Sequence, residues 1–486
     1  MWPQSQGPPF GGGTLPPMEQ RPYAPETLIV KDVTINQEPW KFVIDPGTQR
    51  WIITKPLEVK ILELCDSKKT LNEIAALLMK EEPSIKSHLE FLNLIQPLFY
   101  RGFLFSNAED HQRQSTRIYN DTPISAIHLE ITNVCNLRCT HCYLSSGMRK
   151  SNELSLEEIE NVVDYFPPGS GSRICITGGE PLLHKDIYEI LEYSAVVRGL
   201  MVDLYSNAIL IDDEIAEKLK DIIDRSQYGV NFQISLEGSD PVQNDAVRGE
   251  GVFDKVMKNI EILATHGLNK RINLFICITK QNIHQIPEMI EMAENLDVHL
   301  LKFSQWQKQG RAEGVDREEL APSLEEWVNA GKIVLNYPNQ KIYLTGNFFA
   351  DLKNTNGMFY LTSPLFPKFG CHLKIAPRID CEGNVWPCQL FVDPAFIVGN
   401  IREEPLENIF SGGKYQNLFS ACVQRVEKTP ECAPCEWKEL CGCGCPAFAH
   451  TEYGELNHQD FFCDVRKYWF EEYMRSKIQY LTGMGV

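Results

Sequence analysis

The chain changes its hydrophobic rhythm twice. Over residues 28–54 apolar and polar positions alternate around "VIDPGTQRWIIT". Its DPGT step reads as a hairpin turn between two strands. Three apolar stripes at helical spacing follow, in "LEVKILELCDSKK", "TLNEIAALLMKEE" and "SIKSHLEFLNLIQPLFYRG". Thr70 is placed to cap the second stripe, with Glu73 three residues on completing a capping box. Strands followed by three short helices predict a small winged-helix-like module over residues 26–106. Residues 1–25, rich in Pro and Gly, read as a flexible tail, and the polar run of residues 107–123 reads as a linker.

From residue 124 the pattern becomes a repeat. Strand-like segments ("ISAIHLEIT", "RICITGGE", "LMVDLYSN", "GVNFQISLEG", "RINLFICIT", "VHLLKFSQW") alternate with amphipathic helical ones. Such a βα repeat implies parallel strands, and six units give a partial (β/α)6 barrel over residues 124–330 rather than the full eight. In "GVNFQISLEG" Val230, Phe232, Ile234 and Leu236 share one face, and Asn231, Gln233, Ser235 and Glu237 share the other. A strand buried on both faces is normally apolar throughout. Four polar residues in register on the fourth of six strands therefore predict a wet or ligand-filled lumen. Residues 331–364 read as a bridge. Residues 365–486 lose the repeat altogether, becoming rich in Cys, Gly and Pro, and such a segment needs metal to stabilise it.

Composition narrows the class. The chain has 486 residues, is 43% hydrophobic and carries a formal net charge of −18. An acidic protein is a poor candidate for non-specific nucleic-acid or anionic-membrane binding. No apolar run approaches the roughly 20 residues of a membrane helix, and the N-terminus lacks the charged and apolar regions of a signal peptide. A cytoplasmic location is expected. In that setting the 16 cysteines point to metal rather than disulfides.

The first cysteine group, "CNLRCTHC", places Cys135, Cys139 and Cys142 directly after the first barrel strand, where barrel active sites form. Three thiolates without an obvious fourth suit a [4Fe–4S] cluster with one open iron. "CNLRCTHCY" resembles the signature of the radical S-adenosylmethionine (SAM) superfamily. The likeness continues in order along the barrel, through "GGEP" (178–181), "YSNA" (205–208), "SLEG" (235–238) and "NDAVRG" (244–249). It implies that Gly178, Gly179, Glu180 and Pro181 bind the methionine amino group of SAM. Ser206 and Asn207 would form the polar end of the third strand, and Ser235 and Glu237 would lie near the ribose. Arg248 would pair with the SAM carboxylate through its guanidinium fork, and His141 would lie beside adenine. The implied chemistry is reductive cleavage of SAM to a 5′-deoxyadenosyl radical that abstracts a hydrogen atom. The cofactor carries that chemistry while the barrel positions the target and excludes water. No catalytic residue beyond the SAM cluster stands out.

The second group is Cys371-x11-Gly383-x4-Cys388, then Cys432-x2-Cys435-x5-Cys441-x3-Cys445, then Cys463. It resembles the seven-cysteine SPASM domain of peptide-modifying radical SAM enzymes. That likeness implies two auxiliary [4Fe–4S] clusters, three clusters in all. Cys432, Cys435, Cys441 and Cys463 would hold the outer one, and Cys371, Cys388 and Cys445 the inner one. Some relatives supply a fourth inner cysteine about six residues before the first, where this chain has none. Either the inner cluster keeps an open iron able to hold a substrate thiolate, or Cys381 or Cys443 closes it. Cys65, Cys175 and Cys277 read as small core residues, and Cys422 as a core or surface residue rather than a ligand.

The N-terminal module resembles the PqqD-like peptide-recognition element of ribosomal peptide maturation, which implies binding of a leader peptide as an added strand. Together these resemblances imply a peptide maturase that forms a Cys-derived thioether in a precursor bound through its leader. An external flavodoxin- or ferredoxin-type donor would supply electrons, and neither nucleic acid nor membrane would be a partner. Alternatives are C–C or C–O cross-linking, epimerisation, or formylglycine formation in a sulfatase. Gln389 counts against the last, because that family has an Asp directly after the second SPASM cysteine. From other classes, a non-catalytic iron–sulfur electron carrier and a zinc-dependent DNA-binding regulator remain.

Overall fold

In a computed structural model the described residues are 17–35, 37–48, 50–112, 124–338, 341–346 and 376–482. Cys371 lies outside them.

The N-terminal module is a three-stranded antiparallel sheet, β1 (Ile29–Ile35), β2 (Glu38–Asp45) and β3 (Arg50–Thr54), followed by α1 (Pro56–Leu64), α2 (Leu71–Glu81) and α3 (His88–Tyr100). Asp45 closes the β2–β3 turn by accepting from Gly47 N at 2.9 Å and Thr48 Oγ1 at 2.6 Å. The Thr70–Glu73 capping box is present at the start of α2. The tail is shorter than its composition suggests. Residues 17–25 are described and lie on the module, with Tyr23 exchanging backbone hydrogen bonds with Phe105 and Ala24 buried. Proline lacks an amide donor but still packs, so Pro/Gly content alone misplaces this boundary.

The central sheet holds ten strands in the order β10-β9-β8-β7-β6-β5-β4-β11-β12-β13. Six parallel strands form the barrel wall: β4 (Ala126–Thr132), β5 (Arg173–Gly178), β6 (Met201–Ser206), β7 (Val230–Leu236), β8 (Ile272–Ile278) and β9 (Leu300–Gln305). The expected (β/α)6 unit is extended at both edges. Strand β10 (Tyr343–Thr345) adds in parallel to β9. On the other side β11 (Arg378–Ile379) adds in parallel to β4 and turns back through β12 (Asn384–Trp386) and β13 (Gly399–Asn400). The cysteine-rich end is therefore hydrogen-bonded into the same sheet as the barrel.

Alternation along the strands separates two environments. Ile127, Leu129, Ile174, Ile176, Val202, Leu204, Phe232, Ile234, Leu274, Ile276, Leu301 and Phe303 enter one continuous apolar core with the surrounding helices. The intervening positions, among them His128, Glu130, Asp203, Tyr205, Asn231, Gln233, Asn273, Phe275 and Lys302, face the lumen. They meet one another there: His128 lies 6.0 Å from Tyr205, Tyr205 lies 6.3 Å from Phe275, and Lys302 sits over the Phe275 ring at 4.9 Å. The polar lumen anticipated from β7 extends around the whole barrel.

Candidate functional site

The first cysteine loop is held by the ends of its neighbouring strands. Gly178 has φ +128°, and a Cβ there would lie 2.2 Å from Thr132 O; one on Gly179 would lie 2.0 Å from Val134 O. Only glycine lets the β5 end come this close to the β4 end. The approach is used: Gly179 N donates to Thr132 O at 2.8 Å and Glu180 N to Val134 O at 2.7 Å. The Glu180 carboxylate, fully buried, accepts from Ser206 Oγ at 2.8 Å, Asn207 N at 2.8 Å and Leu182 N at 3.2 Å. Burial raises its proton affinity, and those three donors oppose the rise. Asn207 then reaches the cysteine loop, donating to Asn136 Oδ1 at 2.7 Å and lying 4.0 Å from Cys135 Sγ. Three sequence-distant motifs thus form one hydrogen-bonded rim.

Opposite them, Glu237 is 3% exposed and collects charge. Arg248 donates to its Oε1 from Nη2 at 2.7 Å and from Nε at 3.2 Å, His141 Nε2 lies 3.3 Å away, and Cys277 N donates to Oε2 at 3.1 Å. Burial alone would raise the Glu237 carboxyl, but His141 and Arg248 outweigh it and hold it below the ordinary range. Arg248, expected to meet a carboxylate of the cofactor, here spends its fork on Glu237 beside Cys139. Ser235 is half-buried on the lumen side of β7. Pro181 is buried and starts a 3-10 turn.

Two contributors carried no motif. After β9, Arg311 Nε donates to Cys139 O at 2.7 Å and Nη1 to Ser146 O at 2.9 Å, while its amide donates to Cys142 O at 3.1 Å. Gly310 allows this, since a Cβ there would lie 2.4 Å from both Cys142 O and Tyr143 O. The other is Arg378 on β11, buried in the lumen, which donates to Glu130 Oε1 and to Phe391 O, each at 3.0 Å. Separations of 165 to 248 residues from Ser146, Cys139 and Glu130 left no local pattern to find either.

The cysteine-rich end divides its thiols between two places. Cys432, Cys435, Cys441, Cys443 and Cys463 line one pocket with Trp437, Arg466, Lys467 and Phe470. Arg466 donates to Cys441 Sγ at 3.3 Å. Cys443, one of two candidates to close the inner cluster, belongs here instead. It packs with Cys432 and Val426, and its interaction with Cys432, the leading influence on it, lowers its proton affinity. Locally, Gly442, Cys443 and Gly444 all have φ between 63° and 74°, a left-handed run that leaves Cys443 in the same pocket as Cys441. The other candidate, Cys381, is buried in the β11–β12 turn near the carboxylates of Glu130 and Asp380, in no apolar cluster with Cys388.

The second place holds Cys388, after β12, and Cys445, which caps the helix Pro446–Tyr453; both lie in one apolar cluster. Cys445 N donates to Asp460 Oδ2 at 2.6 Å, and Asp460 is itself paired with Arg466. This salt bridge links the two thiol groups.

The donor sets fit iron–sulfur clusters. All 15 described cysteines are free, the barrel mouth gathers three thiols and the outer pocket five, and thiolates suit iron. Buried polar atoms without a hydrogen-bond partner among the described residues, Ser146 Oγ, Gln309 Oε1, Asn273 Oδ1 and Arg378 Nε, lie on the loops and strands around the lumen, as expected of a cavity that takes a polar guest.

Comparison with known proteins agrees with this geometry. Residues 129–293 match the family model of the radical SAM superfamily, and residues 371–436 match that of SPASM, an iron–sulfur cluster-binding domain. Mycofactocin maturase MftC of Mycolicibacterium smegmatis is 29% identical over 336 residues, 67% of this chain and 79% of that protein. An AdoMet-dependent heme synthase of Nitratidesulfovibrio vulgaris is 26% identical over 369 residues, 69% and 91% respectively. Among solved structures, Streptococcus suis SuiB bound to precursor peptide SuiA superposes with a TM-score of 0.57 at 15% identity, over 91% of this chain and 99% of that one. anSMEcpe with bound AdoMet and Cp18Cys peptide gives 0.57 at 17%, over 74% and 99%.

Proposed function

We propose that this enzyme, which joins a radical SAM domain to a SPASM domain and uses SAM with several [4Fe–4S] clusters, matures a ribosomally made precursor peptide. The observation that carries the reading is the extent of the SuiB fold likeness. It covers 91% of this chain, more than the barrel and cysteine-rich end together hold, so it takes in the N-terminal module. The anSMEcpe likeness stops at 74%. The shared module is the part suited to hold a leader peptide, its three-stranded sheet offering the edges of β1 and β3 for an added strand in the manner of a PqqD-like element.

The residues then have these roles. Cys135, Cys139 and Cys142 hold the SAM-binding cluster, which when reduced supplies the electron that splits SAM. Glu180, Ser206 and Asn207 keep the strand ends at the spacing the cofactor needs. Glu237, with Arg248 and His141, presents a buried carboxylate where the ribose is expected. Arg378 and Glu130 line the lumen between the SAM site and Cys388, where the core peptide would enter. The bond formed is a thioether from a Cys sulfur to a carbon of another residue. Hydrogen abstraction would leave a carbon radical; bonding it to the thiol would release one proton and one electron, and an auxiliary cluster held by the cysteine-rich end would supply the electron acceptor. Summed with SAM cleavage, the electrons balance.

A porphyrin substrate is the second reading, since one relative is a heme synthase. That relative is 91% matched by 69% of this chain, which leaves the N-terminal module without an assigned purpose. The test uses anaerobically reconstituted enzyme with dithionite, SAM and any small Cys-containing peptide found encoded beside its gene. 5′-Deoxyadenosine should form, and the peptide should lose two hydrogens with its thiol blocked. The same peptide without its leader should bind more weakly. Absence of 5′-deoxyadenosine overturns the radical chemistry, and turnover of an iron porphyrin in place of peptide overturns the substrate.

A further inference from the structure

The outer cysteine pocket holds two cations that motif spacing does not explain. Arg466 and Lys467 follow Cys463 on the helix Cys463–Thr482, and both line the pocket with Cys432, Cys435, Cys441 and Cys463. Arg466 stands three residues after Cys463, so the helix places it on the same face as that thiol. Its Nε donates to Cys441 Sγ at 3.3 Å, and Lys467 interacts with Cys463 and Cys435. A salt bridge alone would make Arg466 a structural clamp. A nitrogen aimed at sulfur is something a clamp does not need.

Asp460 fixes how the guanidinium points. It is 1% exposed. Arg466 Nη1 donates to its Oδ2 at 3.0 Å and Nη2 to its Oδ1, a two-point pairing that leaves Nε for Cys441. The same carboxylate accepts from Cys445 N at 2.6 Å and Phe462 N at 3.0 Å. Gly444 makes room for the pair. It has φ +74°, and a Cβ there would lie 2.2 Å from Arg466 Nη2 and 2.4 Å from Asp460 Oδ2. The guanidinium is therefore oriented by groups other than the thiols it faces. Trp437 and Phe470, both buried, line the same pocket, so charge on Arg466 acts on the sulfurs through a medium less polar than water.

We propose that Arg466 sets the reduction potential of the outer [4Fe–4S] cluster, as a positioning residue that acts through the Cys441 thiolate. The inference rests on the reading of Cys432, Cys435, Cys441 and Cys463 as ligands of one cluster, and all four lie in the pocket. Four thiolates leave such a cluster negatively charged. Its one-electron reduction adds a further negative charge, with no bond made or broken. A cation and an N–H on a ligand sulfur stabilise the reduced form more than the oxidised form, so the potential rises. Under the maturase reading, the electron released on bond formation then comes to rest on the outer cluster.

The test reads that potential directly. A Cys135→Ala/Cys139→Ala/Cys142→Ala background removes the SAM-binding cluster, and adding Cys435→Ala identifies the outer signal as the one that is lost. In the triple-Ala background the chain with Arg466 is compared with Arg466→Gln and Arg466→Lys, each reconstituted anaerobically. Iron content, melting temperature and electron paramagnetic resonance during a dithionite titration are recorded. Arg466→Gln should disfavour reduction of the outer cluster roughly tenfold, a fall of about 59 mV for one electron. Signals that survive Cys435→Ala should stay in place. Arg466→Lys should recover part of the fall, because it restores the charge without the fork. An Arg466→Gln protein that melts earlier yet keeps the parent midpoint overturns the proposal and leaves Arg466 a structural clamp. A second measurement needs no change at residue 466. The triple-Ala protein is grown with isotopically labelled arginine, and the reduced outer signal is read by pulsed resonance. A coupling from the labelled guanidinium nitrogen should appear, and its absence overturns the proposal even where the variants fail to load the cluster. These spectra need no peptide, so they fail or succeed separately from the peptide mass shift that tests the maturase reading.

Discussion

The barrel mouth and the cysteine-rich end both gather thiols, but in opposite surroundings. At the mouth, Cys135, Cys139 and Cys142 are part-exposed and are ringed by charge and amide groups: Arg248, Glu237, Asn207 and Arg311. At the inner cysteine site, Cys388, Cys422 and Cys445 lie among Trp386, Phe391 and Leu418. A polar, partly open rim suits a cluster that must meet a charged cofactor and exchange it. An apolar wall suits one that only passes electrons. The two regions also differ in what holds them up. The barrel has its own large core, whereas among the described residues the outer pocket packs only a small group of buried apolar side chains, Ile29, Phe42, Ile44, Trp437 and Phe470 with Val426, against its cysteines. That small cluster is shared with the N-terminal sheet through Ile29, Phe42 and Ile44 on one side and Trp437 and Phe470 on the other. The N-terminal module therefore rests directly on the outer cysteine pocket.

The largest effect should come from Cys139→Ala. Two thiolates at the mouth should not retain a cluster, so 5′-deoxyadenosine should fall to the no-enzyme background while circular dichroism stays unchanged, because the barrel core needs no metal. Persistent product would break the assignment of the mouth. Next, Cys435→Ala should remove about four irons per chain and lower the anaerobic melting temperature of the cysteine-rich end, yet leave SAM cleavage measurable. Equal losses of stability in the Cys139 and Cys435 variants would erase the contrast in support. A third, intermediate effect is expected for Glu180→Gln. The amide keeps one acceptor oxygen where the carboxylate offered two to Ser206, Asn207 and Leu182. Losing a charge-assisted bond costs about 1.5–3 kcal/mol, so SAM should bind roughly ten- to a hundredfold more weakly by titration.

The smallest effect concerns the seam between the regions. Arg402 pairs with Glu158 and also donates to Asn152 O at 3.1 Å. The Arg402 hydrogen bond is the first cause that draws Glu158 down to about 2. A depressed carboxyl contributes stability above its unfolded value near 4.5, and that contribution is lost as pH falls toward 2. The pair is part-exposed, so Glu158→Gln should cost no more than about 1 kcal/mol at neutral pH. The difference from the parent in denaturant melts should vanish on acidification through that window. A loss several times larger would mean the seam, not the clusters, holds the cysteine-rich end in place.

Much of this molecule was legible in the order of its residues. The period-two polar face of β7 announced a wet lumen, and the GGEP glycines announced a close backbone approach. The C-x3-C-x2-C loop announced an open three-thiolate site, and Thr70 with Glu73 announced a helix start. Each is local, because strand alternation, φ freedom and capping act within a few residues. The thiol partition was not legible in the same way. Cys443 stands midway between Cys441 and Cys445 in the chain, yet within a left-handed run of three residues it packs with Cys432. Cys422 stands ten residues before the nearest motif cysteine, yet a helix clamped by Arg425 brings it to Cys388.

By itself the sequence determined the βα repeat, the motif thiols and the chemistry they could support, since periodicity and spacing are properties of neighbouring residues. Which thiols lie together, that Arg311 and Arg378 reach the barrel site from afar, and that the N-terminal sheet rests on the outer pocket were decided by tertiary packing alone. Those contacts join residues far apart in the chain or turned by a local backbone reversal, and the free energy that selects them comes from burial and hydrogen bonding between whole elements.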